Sequence, residues 1–141
     1  MRDIRRLFII RKDLYLSAGK LAAMVSHCAE LYWLNWFKSH TDVNGYTEGF
    51  IDQTVFDNYI NGIYTKTICA ARNKSHLLKA KTIATDLGLI EGIDFGELND
   101  YCLTELEPEN EDGTTLVGIW FKPLKDETAH AISKTYQLYR E

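Results

Sequence analysis

The residues of this chain that could do chemistry do not form any of the familiar catalytic motifs. The sequence contains no GxSxG, HExxH, GxxxxGKS/T or GxGxxG pattern, so serine-hydrolase, zinc-hydrolase and common nucleotide-binding mechanisms lack their motifs. Ser26, His27 and Cys28 are adjacent, but neighbours on a helix point about 100° apart and cannot form a relay. We therefore interpret Cys28 as a small core residue and His27 first as a helix-face or core histidine.

Lys20 is the residue whose position is most unusual. It follows Ser17, a good N-cap candidate, in the first turn of a predicted helix. The unpaired backbone N–H groups and the helix dipole favour anions there, so a lysine costs about 0.3–1 kcal/mol. Lys20 is therefore either a solvated surface residue or a cation retained for function.

The elements that must position Lys20 follow from the hydropathy pattern. An apolar run at 5–11 does not alternate, which predicts a strand covered on both faces. A helix follows from about 18 to 38, then strands at 65–71, 94–98 and 114–121 and a helix at 76–87. The expected core stripe of the first helix is Leu21, Val25, Cys28, Tyr32 and Trp36. A last helix after Pro123 should carry Ala129, Ile132, Tyr136 and Tyr139.

This order of elements predicts the fold class. Strands alternating with helices, then a late pair of strands, indicate an α/β three-layer sandwich: a small four-stranded mixed sheet with helices on both faces. The length of 141 residues predicts a single domain over 1–141. Residues 39–64 are expected to be an insertion, with a short helix near 55–60.

Composition limits the location and the partners. The apolar run behind the N-terminal arginines is only four residues long, too short for a signal peptide, and no run is long enough to cross a bilayer. The three cysteines fit neither a disulfide framework nor a metal clamp, which predicts reduced thiols in a cytoplasmic protein. No metal or other cofactor and no membrane partner is expected.

The charge is unevenly distributed. The net charge is −4, yet residues 1–40 hold seven Lys and Arg against three acids, a balance of +4. A second basic patch comprises Arg72, Lys74, Lys79 and Lys81. Such a surface could steer an anionic ligand to one side, although solvated charges without a partner explain the pattern equally well.

Three blocks of sequence resemble one known family. Residues 11–14 (RKDL) precede residues 19–23 (GKLAA) and the Ser26-His27 pair. Residues 100–108 (DYCLTELEP) and 115–119 (TLVGI) follow in the same order as in the type II peptidyl-tRNA hydrolases. Outside residues 39–64, the resemblance spans most of the chain.

The resemblance implies hydrolysis of the ester bond between the peptide and the tRNA, a tRNA partner and a homodimer. Lys20 would stabilise the developing negative charge or bind the terminal phosphate, and Asp100 would orient the lysine or the water. Thr104 and Thr115 would donate hydroxyl hydrogen bonds, with no side-chain nucleophile. Residues expected to bind substrate are Arg11, Met24 and His27.

Three positions depart from the family pattern. Met24 replaces a glutamine, Cys102 a glycine and Leu103 an arginine, so an amide and a guanidinium near the predicted site are missing. Two alternatives therefore stay open. One is a non-catalytic RNA- or protein-binding module on the same fold, and the other is an unrelated small-molecule enzyme on a similar scaffold.

Overall fold

The computed structural model describes residues 3–140, which form an α/β structure around one mixed sheet. The strands are β1 (Ile4–Arg11), β2 (Lys66–Ala71), β3 (Phe95–Asp100), β4 (Thr115–Phe121), β5 (Leu124–Lys125) and β6 (Gln137–Leu138). The helices are α1 (Ala18–His40), α2 (Gln53–Val55), α3 (Lys74–Asp86) and α4 (Asp126–Ser133). A 3-10 turn spans Lys12–Leu14, and a π-helical segment spans Phe56–Ile63.

The sheet has the strand order β3-β4-β1-β2-β6, with β5 pairing separately to β1. β1 runs parallel to β2 and antiparallel to β4, which confirms a mixed sheet. The sheet of the described chain has six strands, so the expectation of four was wrong. The two strands that were missed, β5 and β6, have two residues each, too few to show a hydropathy pattern.

β1 is covered on both faces, as its lack of alternation predicted. Leu7 and Ile9 belong to a core cluster shared with α3 and α4. Phe8 and Ile10 belong to a second cluster that includes Met24 and Cys28 of α1. Successive side chains of a strand point to opposite faces, so α1 lies on one side of the sheet and α3 and α4 lie on the other.

The core stripe of α1 differs from the expected one. Its fully buried residues are Met24 and Cys28, one turn apart, whereas Trp36 is only half-buried and stacks on His40. Leu21, Val25 and Tyr32 pack at the margin of the cluster. Met24 was not part of the expected stripe, because hydropathy alone does not fix which of two adjacent stripes of a helix faces the sheet.

A buried arginine fixes α1 above the sheet. The guanidinium of Arg6 on β1 donates to the carbonyl of Phe121 at 2.6 Å and to the carbonyls of Cys28 and Ala29 at 3.3 and 3.2 Å. Burial lowers the pKa of Arg6. Because the acceptors lie on β4 and α1, these bonds hold the helix in register with the sheet.

The C-terminal helix is shorter than predicted. α4 ends at Ser133, so Tyr136 and Tyr139 lie beyond it, and the expectation that they continue the helix was wrong. The Tyr136 hydroxyl donates to the His76 carbonyl at 2.6 Å, and the two rings stack. The chain then returns along β2 as β6, where sheet hydrogen bonds replace those of a longer helix.

Residues 39–64 contain the expected short helix in an altered form. Asp52 caps α2 by accepting from the backbone N–H groups of Thr54 and Val55. The π-helical segment that follows buries Tyr59 and is kinked at Gly62. Tyr59 and Ile60 of this segment line a cavity together with residues 29–37 of α1.

Candidate active site

Lys20, Asp100 and Thr104 form a polar cluster where α1 begins and β3 ends. The Lys20 Nζ lies 3.0 Å from Asp100 Oδ2 and donates to Thr104 Oγ1, also at 3.0 Å. The side chains of Lys20 and Asp100 are only 8% and 12% exposed. An ammonium has three donors, so one N–H of Lys20 stays available after these two contacts.

Thr115 lies beside this cluster, but its hydroxyl is already used. It is the direct cross-strand partner of Asp100 and is buried. Its Oγ1 donates to the Glu107 carbonyl at 2.8 Å and accepts from the Glu109 N–H at 3.0 Å. The structure therefore brings together Lys20, Asp100 and Thr104, whereas Thr115 holds the loop that carries Thr104.

That loop, residues 101–114, turns through two left-handed residues. Cys102 has φ 60° and Glu105 has φ 63°, a conformation that costs a non-glycine residue about 1–2 kcal/mol. Two polar contacts help to offset this cost at Cys102. Its N–H donates to Asp100 Oδ2 at 3.1 Å, and its Sγ lies 3.4 Å from Thr115 Oγ1. The bond to Asp100 fixes the carboxylate that faces Lys20.

Glu105 ties the same loop to the start of α1. Its carboxylate accepts from the Ser17 N–H at 3.2 Å and from the Ser17 hydroxyl. These bonds from Ser17 lower the pKa of Glu105. Ser17 also caps α1 by accepting from the Lys20 N–H at 3.2 Å. The sequence identified the cap but not Glu105, because nothing in the sequence distinguishes Glu105 from the other acidic residues that follow it.

Arg11 is buried below the cluster and does not join it. Its guanidinium donates to both carboxylate oxygens of Asp13 and of Glu109 and to the Leu116 carbonyl. Burial lowers the pKa of Arg11, but the bonds to Glu109 and Asp13 outweigh burial and keep it above its ordinary value. Through Glu109 and Leu116, Arg11 ties residues 109–116 to the end of β1. We call these bonds the Arg11 brace.

The other two residues expected to bind substrate occupy different surroundings. Met24 is 1% exposed and packs in the core under α1. His27 is exposed and lines a groove that Asp100 also lines. Leu103, which stands where the family pattern has arginine, is 89% exposed. Of the three departures from the family pattern, Met24 is thus in the core, Leu103 is exposed to solvent, and Cys102 adjoins Asp100.

Cationic side chains lie on the side of the sheet where α1 begins. Lys12, Arg72 and Arg140 line one cavity of about 230 Å³. Lys12 and Arg140 also line a second cavity, which reaches Ser17 and Ala18. The N-terminus of α1 adds its own partial positive charge. The cationic surface therefore adjoins the start of the helix that carries Lys20.

No group of three or more His, Cys, Asp or Glu residues suited to a metal ion occurs within residues 3–140. The polar cluster offers a cation, a carboxylate and a hydroxyl within hydrogen-bonding distance of one another. Such a set can orient water and stabilise an oxyanion, as an acyl-transfer reaction requires.

A comparison with protein families identifies the family of this chain. Residues 4–139 match the family described as Peptidyl-tRNA hydrolase PTH2. Because the match covers nearly the whole chain, the protein belongs to this family. The comparison with curated proteins gave no match.

A solved structure shares the fold. A protein of unknown function from Agrobacterium tumefaciens strain C58 superimposes with a TM-score of 0.54 and is 11% identical in sequence. The similarity covers 99% of this chain and 100% of that one. At this identity the similarity concerns the fold alone. Within the described residues, no helix is both long and apolar enough to cross a membrane.

Proposed function

We propose that the protein hydrolyses the ester bond of peptidyl-tRNA and releases the peptide and free tRNA. The contact of Lys20 Nζ with Asp100 Oδ2 and Thr104 Oγ1 carries this proposal, together with membership of the peptidyl-tRNA hydrolase family. An ester carbonyl placed against the remaining N–H of Lys20 would gain a hydrogen bond that strengthens as the oxygen becomes negative.

The reaction needs an attacking water and a proton acceptor. Asp100 Oδ2 is held by Lys20 and by the Cys102 N–H, whereas Oδ1 has no hydrogen-bond partner within residues 3–140. In our mechanism Asp100 Oδ1 accepts the water proton as the water oxygen attacks the carbonyl carbon. The bond to the ribose oxygen then breaks, and that oxygen takes the proton.

Thr104 acts on the substrate through its own proton. It accepts from Lys20, so its O–H is available to donate to the attacking water or to the substrate. Thr115 acts indirectly, because its hydroxyl holds the loop of Thr104 against β4. We assign Arg11 the same positioning role, through Glu109.

The cationic side of the sheet supports tRNA as the partner. Lys12, Arg72 and Arg140 could neutralise phosphates of the acceptor stem while the terminal ribose reaches Lys20. The net charge is −4 and the loop 101–114 beside the cluster is itself acidic, so any attraction of phosphates would come locally from the cations that line these cavities. Homodimerisation and a cytoplasmic location remain predictions that rest on the family and on composition.

A second function is favoured by one observation. Leu103 replaces a family arginine and points into solvent, so the guanidinium that could hold a phosphate at this position is missing. Loss of that cation could leave a non-catalytic module that binds tRNA without cleaving it.

One experiment separates the two functions. N-acetyl-peptidyl-tRNA is incubated with the purified protein, and both tRNA binding and released peptide are measured. Multiple turnovers support the hydrolase. Binding without release selects the non-catalytic module, and the absence of binding at low salt rejects both.

A further inference from the structure

β3 is an edge strand that ends at the polar cluster. Within residues 3–140, the strand pairs with β4 on one side, and its other edge carries only a bridge from Glu91 to Phe95. Unpaired N–H and C=O groups of an edge strand are a ready template for another extended chain. The last residue of this edge is Asp100, the partner of Lys20.

A groove of about 400 Å³ runs between this edge and α1. One wall is formed by residues 97–101, and the other by His27, Glu30, Leu31 and Leu34. The four α1 residues are spaced i, i+3, i+4 and i+7, so they form a single stripe of the helix. Asp100 lines the groove and also contacts Lys20, so the groove adjoins the polar cluster.

The two walls have matching lengths. From His27 to Leu34 the helix rises about 10 Å, at about 1.5 Å per residue. From Glu97 to Asp100 the strand also covers about 10 Å, at about 3.4 Å per residue. The groove therefore has room for about three residues of an extended peptide.

We propose that the peptide part of peptidyl-tRNA binds in this groove as an added strand on β3. The proposal rests on the proposed hydrolase function and names how that site recognises its substrate. Backbone hydrogen bonds do not depend on side chains, so strand addition would let one enzyme accept peptides of any sequence. Leu31 and Leu34 supply an apolar wall for the side chains that face α1.

The chemistry of the ester fixes the direction of the peptide. The scissile carbonyl is at the C-terminus of the peptide and must lie at Lys20, next to the last residue of β3. The peptide would then run back along the groove, with its earlier residues beside Glu97. Its chain direction is the same as that of β3, so the pairing is parallel.

A shift in register interrupts the pairing of β3 with β4 between Leu98 and Asn99. Such irregularities are frequent at sheet edges beside active sites, where they redirect the backbone. Charged residues on this edge, such as Glu97, would protect the unoccupied strand from non-specific pairing. Glu97 itself is engaged by Lys81 from α3, on the other side of the sheet.

The test uses non-hydrolysable substrates, in which an amide joins the peptide to the tRNA. Analogues carrying N-acetyl-alanine or N-acetyl-tetra-alanine are compared by their Kd for the wild-type protein. We expect the longer peptide to bind about tenfold more tightly, as two net backbone hydrogen bonds would provide. Equal Kd values would overturn the proposal.

N-methylation supplies a matched control inside the peptide. Successive N–H groups of a strand point to opposite sides, so methylating alternate amides gives two tetrapeptides. One should lose the tenfold gain, and the other should keep it. Equal loss in both would also overturn strand addition.

A pair of protein variants tests the α1 wall. Leu34 is 41% exposed in the groove, and Leu87 is 46% exposed at the end of α3, on the other face of the sheet. Leu34→Glu should weaken binding of the tetrapeptide analogue about fivefold and leave the single-residue analogue unchanged, whereas Leu87→Glu should change neither. An identical effect of both substitutions would contradict the groove.

Turnover of ester-linked substrates is measured separately. Turnover without any dependence of Kd on peptide length would refute the groove and leave the hydrolase function intact. Length-dependent binding without turnover would refute hydrolysis and support the groove as the peptide site of a binding module.

Discussion

The ammonium of Lys20 lies 3.0 Å from the carboxylate of Asp100, and both side chains are largely shielded from solvent. A lysine in the first turn of a helix is unfavourable beside the positive end of the dipole. The paired carboxylate compensates for this cost, and Thr104 takes a second N–H. Lys20, whose place in the sequence is electrostatically unfavourable, is therefore paired in the folded protein. One N–H of its ammonium remains for a substrate.

Removal of the Lys20 ammonium should abolish most hydrolysis. We expect Lys20→Ala to lower kcat by about 10²–10³, the usual cost of losing one donor to an oxyanion. Lys38→Ala, an exposed lysine at the other end of the same helix, is the matched control and should retain wild-type turnover. Peptide release from N-acetyl-peptidyl-tRNA is the measurement. Equal rates for both variants would remove Lys20 from the mechanism.

The brace between Arg11 and Glu109 should make stability depend on acid pH. The hydrogen bond from Arg11 holds the pKa of Glu109 below its ordinary value of 4.5 in the folded protein. The ionised carboxylate thus stabilises the fold above pH 4.5, and this contribution is lost as the pH falls through the depressed pKa.

Glu109→Gln should therefore lower Tm at pH 7, and the difference from wild type should shrink on acidification below pH 4.5. Melting curves across this range provide the check. Glu111→Gln, a nearby exposed residue, should follow the wild-type profile. A difference in Tm between wild type and Glu109→Gln that stays constant across this pH range would show that ionisation of Glu109 does not stabilise the fold.

Restoring the family glutamine at position 24 should cost stability. Met24 is enclosed by apolar side chains, so Met24→Gln would bury an amide at a cost of about 1–3 kcal/mol. Met24→Leu conserves the volume and should cost less than about 1.5 kcal/mol. Urea unfolding of the three proteins compares these costs. Unchanged stability of Met24→Gln would mean that the amide finds a partner that the present packing lacks.

Restoring the family glycine at position 102 should have the opposite effect. Glycine adopts the observed φ of 60° without steric cost, so Cys102→Gly should stabilise the protein by about 1 kcal/mol. The bond from the residue 102 N–H to Asp100 is kept, so turnover should stay within about twofold. Lower stability in urea unfolding would show that the thiol contacts to Thr115 outweigh the backbone strain.

The cationic side of the sheet should carry the salt dependence of tRNA binding. Lys12→Ala and Arg72→Ala should each reduce the slope of log K against log salt by about 1. Lys38→Ala, about 27 Å along α1 from Lys20, should leave the slope unchanged. Filter binding at several salt concentrations measures it. Equal slopes of log K against log salt for all three variants would mean that the tRNA binds to another surface.

The fold was predictable where the chain repeats a pattern over enough residues. The continuous apolar run of β1 and the helical periodicity of the stretch from Ala18 to His40 were both clear signals. β6 escaped prediction because two residues carry no period, and the tyrosines around it matched helical spacing by chance. Their place is decided by tertiary contacts, such as the bond from Tyr136 to His76, and not by local propensity.

The residues of the candidate site also fall into those that the sequence could indicate and those that it could not. Lys20, Asp100 and Thr104 could be selected because each stands in a block of sequence that resembles the family pattern. Glu105 could not, because its role depends on a left-handed backbone at a non-glycine residue and on a partner 88 positions away. The brace of Arg11 was missed for a similar reason: its main carboxylate lies 98 positions along the chain.

These large separations bear on how the polar cluster forms during folding. The contacts of Ser17 with Glu105 and of Lys20 with Thr104 close loops of 88 and 84 residues, whose entropic cost must be met before the contacts form. Neither half of the cluster can assemble from local sequence. Catalytic competence should therefore appear late in folding, after β4 has docked between β1 and β3, so turnover would report native topology more strictly than helix content does.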